Sequence, residues 1–337
     1  MKYNLLGNTG LKVSEFCFGT MTFGSDGIYK EIGNLDQAAS ENLISQAVEA
    51  GINFFDTANV YSAGQSEEIL GQAIMNLGLN RDSLVLASKV MAKIGEGPND
   101  RGLSRKHIMQ QVELTLKRLK TDYIDLYQVH GYDALTPIEE TLQVFDDLVR
   151  SGKVRYIGTS NVAAWPLMKA LDYSFYNKTA RFQSLQAYYS LASRDMEREL
   201  IPLLKDQKLG LMVYSPLAAG LLSGKYTREN KGQAGGRRDK FNFPVVDEEK
   251  AYRILDVLHP MAAAKGTTVA QLSLAWLLHQ PVVTSIIIGT KNTEQLQDNL
   301  KAGQVTFTAE ELAQLDEVSK MAIEYPGWIL DYGSAGR

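Results

Sequence analysis

Short apolar runs along this chain alternate with longer stretches in which apolar positions recur every three to four residues. Eight of the runs, residues 16–20, 53–57, 84–90, 124–130, 154–160, 181–187, 210–215 and 285–289, are rich enough in β-branched and aromatic residues to be strands. Most are apolar on both faces, as strands are when helices cover one side and a packed interior the other. The stretches between them carry helix signals. Ser104 can cap a helix whose Ile108, Val112, Leu116 and Leu119 share one face. Thr136-Pro137-Ile138-Glu139 reads as a capping box with proline at the first helical position, and Gly152 stops the helix that follows. Eightfold alternation of strand and helix predicts a closed (β/α)8 TIM barrel rather than a doubly wound sheet, with residues 1–337 as one domain with extra helices. Ahead of the first strand, residues 3–5 and 11–13 flank Gly7-Asn8-Thr9-Gly10, a turn sequence for an N-terminal β-hairpin that could plug one barrel end. A long irregular insert, residues 217–246, follows the seventh strand and contains Gly232, Gly235, Gly236, Arg237 and Arg238, and a loop of that length is usually functional.

Composition narrows the possibilities. With 45% hydrophobic and 22% charged residues, the 337-residue chain can bury a large core. A net charge of −4 without a basic cluster argues against a nucleic-acid partner. The most apolar long stretch, residues 271–289, is interrupted by His279, Gln280, Pro281 and Thr284, which argues against a membrane span. The N-terminus has no apolar run of the signal-peptide kind, so a cytoplasmic location is expected. The one cysteine, Cys17, lies between Phe16 and Phe18 and reads as a core residue. No heptad repeat sets an oligomeric state.

In an α/β barrel the reactive groups sit where strands end, and four polar residues fall there: Asp56, Tyr61 in the loop just beyond it, Lys89 and His130. Each alone has an ordinary structural role, as a turn cap, a rim aromatic, a snorkelling lysine or a core histidine. Together they suit the reduction of a carbonyl, because hydride addition builds an alkoxide that needs a proton donor. Tyr61 would donate, Lys89 would lower its pKa, Asp56 would hold the ammonium, and His130 would orient the carbonyl oxygen. The set needs no metal, and His107, His259 and His279 show no ligand spacing.

Phe54-Phe55-Asp56-Thr57-Ala58-Asn59-Val60-Tyr61 with Gly64-Gln65-Ser66-Glu67 resembles the signature of the aldo-keto reductases. Ser88-Lys89-Val90, the run from Asp125 to His130 and Gly158-Thr159-Ser160-Asn161 resemble further blocks of that family in the same order, and Asp56, Tyr61, Lys89 and His130 match its catalytic tetrad. The resemblance implies an NAD(P)H-dependent reductase of small carbonyl compounds, nearer the branch that includes potassium-channel β subunits and bacterial reductases. It also implies a nicotinamide cofactor lying across the barrel mouth, in keeping with the absence of a Gly-x-Gly-x-x-Gly fingerprint. By position, Ser160, Asn161 and Gln186 would hold the carboxamide and Tyr214 would stack on the ring. Ser215, Leu217, Ser223 and Lys225 would line the pyrophosphate, with Gly19, Thr20 and Met21 on the ribose side. Asp298 and Asn299, in the block that includes Gly289, Thr290, Lys291 and Gln295, would meet the adenosine. Many family members carry lysine and arginine where this chain has Gly289 and Gln295, so Lys291, Arg237 or Arg238 would have to balance a 2′-phosphate. NADPH is the expected cofactor, with NADH the alternative. Phe23, Tyr29, Asn59, Met91, Trp165 and Trp328 are the candidates for the substrate-facing rim. Two other readings are a cofactor-binding regulatory subunit and an aldolase or isomerase forming a Schiff base at Lys89.

Overall fold

In the computed structural model, residues 1–228, 230, 238, 241 and 243–334 are described. Eight parallel strands close into a barrel in the order β10-β3-β4-β5-β6-β7-β8-β9. They are β3 (Phe16–Gly19), β4 (Phe54–Asp56), β5 (Val85–Val90), β6 (Ile124–Val129), β7 (Val154–Ser160), β8 (Phe182–Tyr188), β9 (Gly210–Tyr214) and β10 (Val283–Ile288). Each expected run is therefore a strand, that at Val154–Ser160 with its expected ends and the others with an end moved by one or two residues, as is usual where strands merge into loops. Around the barrel lie helices α1 (Gln37–Glu49), α2 (Gln65–Asn76), α3 (Arg105–Leu119), α4 (Ile138–Arg150), α5 (Ala164–Asn177) and α6 (Leu200–Gln207). They are followed by α7 (Glu248–Lys265), α8 (Val269–Leu278), α9 (Thr293–Leu300), α10 (Ala309–Ser319) and α11 (Gly327–Ser334).

Alternation along the strands divides the buried residues into two shells. Phe16, Phe18, Phe55, Leu86, Tyr127 and Phe182 point outward into the layer packed under the helices. Cys17, Phe54, Val85, Ala87, Leu126, Met212 and Ile287 point inward and fill the barrel. Leu6 and Val13 join that inner group, so the hairpin of β1 (Tyr3–Leu5) and β2 (Lys12–Ser14) plugs the N-terminal end. Close approach is built in at Gly7, with φ of +58°, where a Cβ would meet the Gln183 carbonyl oxygen at 2.1 Å. The core role expected of Cys17 holds, since it is fully buried.

Ser104 caps α3 by accepting from the His107 N–H. The capping box at Thr136 does not form. Helix α4 starts one residue later, with Pro137 as its N-cap and no side-chain cap, and the Thr136 hydroxyl instead donates to the Asp133 carboxylate at 2.7 Å. A charged acceptor within the same turn outcompetes a backbone N–H. The insert after β9 opens with a 3-10 segment, Ala218–Ser223. Its Gly232, Gly235, Gly236 and Arg237 lie outside the described residues. No helix among the described residues is long and apolar enough to cross a membrane.

Candidate active site

The inward register that fills the barrel with Phe54, Val85 and Leu126 continues two residues at a time to the C-terminal end of the strands. There it presents Asp56 on β4, Lys89 on β5, Gln128 on β6 and, just past β6, His130. Lys89 Nζ lies 2.5 Å from Asp56 Oδ2, 2.8 Å from the Thr57 carbonyl oxygen and 3.2 Å from Tyr61 Oη. The His130 ring packs edge-on against Tyr61 at 5.8 Å between centroids. The four candidates therefore converge.

Tyr61 reaches them because the chain turns sharply after β4. Ser62, Ala63 and Gly64 have φ of 47°, 53° and 96°, so three successive residues take a left-handed conformation that costs a non-glycine residue on the order of 1–3 kcal/mol. Side-chain hydrogen bonds hold the turn. Ser62 Oγ donates to the Phe23 carbonyl oxygen at 3.0 Å, and Ser66 Oγ donates to that of Thr20 at 2.7 Å.

Burial drives the electrostatics. It strips the His130 cation of water, Lys89 repels that cation further, and the imidazole pKa falls to about 3. The same burial would lower Lys89, but the charge of Asp56, then Tyr61 and the hydrogen bonds to both, outweigh it and keep the ammonium protonated. For Tyr61, burial raises the pKa, Lys89 lowers it and Asp56 raises it, with a net rise. Lys89 thus acts in the expected direction without prevailing: an ion-paired lysine stabilises a phenolate less than a lone one, and Tyr61 holds its proton.

Gln128 was not among the expected site residues. It is fully buried, and its Nε2 donates to Asp56 Oδ1 at 3.1 Å. Its signal in the sequence is a polar residue in the inward register, two positions before His130. Gln186 shares that role, since its Nε2 lies 2.8 Å from Asp56 Oδ1 and 3.4 Å from Gln128 Oε1. Asn161 Nδ2 donates to the His130 carbonyl oxygen and to Ser160 Oγ, both at 3.0 Å, and Asn161 Oδ1 accepts from Tyr214 Oη at 3.0 Å. The Tyr214 ring belongs to a row with Tyr188 and Phe243, stacked at 6.0 and 6.2 Å.

The remaining cofactor candidates differ in what they can offer. Thr290 Oγ1 is buried without a hydrogen-bond partner, and Gly289 beside it is exposed, with no atom nearer its would-be Cβ than 4.0 Å. An orphan hydroxyl and an open glycine at one strand end fit a bound polar ligand. Gly19 closes β3, half-buried Met21 follows, and the Thr20 hydroxyl is committed to the Asp56 carbonyl oxygen and to Ser66. In the 217–224 turn the N–H groups of Gly220 and Leu222 donate to the Leu217 carbonyl oxygen, that of Ala218 donates to the Ser215 carbonyl oxygen, and that of Ala219 to Ser215 Oγ. Those four N–H groups are therefore not free to meet a phosphate. Leu217, Ser223 and exposed Lys225 flank that turn. Gln295 accepts from the Lys291 N–H. Asp298 accepts from Thr268, which caps α8, and from Gln271 in its first turn, and Asn299 is buried. Arg238 pairs with Glu248 at 2.6 Å and keeps Nη1 buried without a partner, whereas Arg237 lies outside the described residues.

The rim candidates divide too. Tyr29 faces Tyr61 at 5.4 Å between ring centroids, and half-buried Met91 follows β5. Phe23 does not face the mouth: it is fully buried and packs on Phe18 at 5.9 Å, because the turn after β3 folds it back under the helices. Asn59 is 1% exposed and donates to Gln111 on α3 at 2.9 Å, away from the mouth. Trp165 is exposed on α5 against Tyr132, and Trp328 is exposed on α11 against Tyr325.

Residues 15–320 match the model of the aldo/keto reductase family. An uncharacterized oxidoreductase of Bacillus subtilis, YrpG, is 39% identical over 327 residues, covering 94% of this chain and 96% of that protein. A probable voltage-gated potassium channel subunit beta of Arabidopsis thaliana is 37% identical over 317 residues, covering 90% and 92%. The versiconal hemiacetal acetate reductase of Aspergillus parasiticus is 33% identical over 345 residues, covering 97% and 99%.

Proposed function

Because the chain belongs to the aldo/keto reductase family and is an oxidoreductase, we propose that it reduces aldehydes or ketones with NADPH, with Tyr61 as the proton donor. The observation that carries this reading is the 3.2 Å contact between Tyr61 Oη and a lysine held charged by Asp56. A reduced nicotinamide, when bound, supplies the hydride. Ser160, Asn161 and Gln186 would hold its carboxamide, Tyr214 its ring, and Thr290 and Arg238 the far end. As charge grows on the carbonyl oxygen, Tyr61 passes its proton there, and Lys89 stabilises the phenolate left behind. His130, neutral at physiological pH, donates a hydrogen bond to the same oxygen without competing for the proton. Asp56, fixed by Gln128 and Gln186, keeps the ammonium in place.

The test is oxidation of NADPH and of NADH against a panel of aromatic and aliphatic aldehydes, with Tyr61→Phe beside the wild type. Loss on the order of 10²–10⁴-fold is expected of the variant, and near-full activity would end the proposed role. Preference for NADPH is expected from the buried, unpartnered Nη1 of Arg238, and faster turnover with NADH would contradict it. The relation to a probable channel subunit favours one other reading, a cofactor-binding regulatory protein. Tight NADPH binding without oxidation by any aldehyde would move that reading ahead.

A further inference from the structure

One buried charge lies outside the barrel wall and takes no part in the chemistry above. Glu67, in the first turn of α2, is fully buried. Its Oε1 accepts from Ser88 Oγ at 2.5 Å and from Thr115 Oγ1 at 2.9 Å, and its Oε2 meets Arg118 Nη1 at 3.0 Å. Ser88 immediately precedes Lys89 and points outward where Lys89 points inward. Arg118, in the last turn of α3, fills the space over Gly64, where a Cβ would meet its Cζ and Nε at 2.6 Å. Gly64 ends the left-handed turn that carries Tyr61. At Gly71, a Cβ would meet the Arg118 carbonyl oxygen at 2.5 Å, so α2 lies tight against the end of α3 and cannot shift without moving Arg118.

From this arrangement we propose that Glu67 and Arg118 are positioning residues for Tyr61 and Lys89. The ion pair clamps the Tyr61 turn from behind and, through Ser88, ties it to the strand that bears Lys89. An apolar pair could fill this space without the desolvation of two charges. What a hydrogen-bonded charge pair adds is a fixed direction, because its contacts are short and angular. The proposal rests on Tyr61 as the proton donor.

Arg118→Met keeps the apolar stem and removes the charge. Since misplacement of a reacting group by about 1 Å can cost on the order of 10²-fold, kcat is expected to fall at least tenfold. NADPH affinity, read by fluorescence quenching, should stay within about twofold, and Arg118→Lys, which restores the charge without the planar fork, should recover only part of the loss. The decisive readout is the same substitution in a Tyr61→Phe background, measured by single-turnover oxidation at high enzyme concentration. An effect acting through Tyr61 should vanish there. An unchanged kcat in Arg118→Met, or an equal loss in both backgrounds, would overturn the proposal while leaving Tyr61 as donor. Full activity of Tyr61→Phe alone would remove the donor assignment and this proposal with it. Should Arg118→Met fail to fold, Ser88→Ala and Thr115→Val each remove one contact to Glu67, and unchanged kcat in both would overturn the proposal equally.

Discussion

Lys89 and His130, two bases at one barrel mouth, are both pushed down by burial yet end shifted in opposite directions, because only Lys89 has a carboxylate at 2.5 Å to outweigh it. With His130 held down at about 3, kcat/KM should show no inflection between about pH 5 and 8. With Tyr61 raised, loss of the donor proton should begin only above about pH 10, the ordinary tyrosine value. A titration near 6.5 in the rate profile would contradict the neutral histidine. Stability follows the same linkage. A histidine whose folded pKa is depressed favours folding above its unfolded value of about 6.5, and that contribution is lost as pH falls from there toward 3. His130→Gln should therefore flatten the decline of unfolding free energy between about pH 6.5 and 4, measured in urea. Lys89→Met leaves Asp56 charged and buried, and a cost of about 3–5 kcal/mol is expected in the same assay. A cost below about 1 kcal/mol would mean that water or a proton compensates Asp56.

Element ends show how side-chain caps compete. Ser104 has no better partner than the His107 N–H at 3.3 Å and caps α3, so Ser104→Ala should cost about 1 kcal/mol in urea denaturation. Thr136 has the pattern of a cap but also a carboxylate three residues back, and α4 starts without its help. Removing that hydroxyl should therefore act through Asp133: Thr136→Ala should add nothing in an Asp133→Ala background, and an equal cost in both would restore the capping role. Strands were legible as two-sided apolar runs because a barrel buries both faces. Their ends were not, because the last residue of a strand is decided by its neighbour's register.

For the whole molecule, the end of the barrel away from the mouth is filled by the N-terminal hairpin. Leu6 is fully buried among Cys17, Phe54 and Leu126, so Leu6→Ala should cost about 2–5 kcal/mol with an unchanged denaturant slope. A loss under about 1 kcal/mol would show that the hairpin is an appendage. The sequence by itself determined the barrel and the four residues at its mouth, since periodicity places strands and inward polar residues at strand ends stand out against an apolar interior. Only the tertiary structure decided that Gln128 and Gln186 hold Asp56, that Phe23 and Asn59 turn away from the mouth, and that Glu67 and Arg118 stand behind Tyr61. Apart from Phe23, which a local turn folds back, these depend on partners tens of residues apart in the chain, and local pattern carries no information about which buried polar group will meet which.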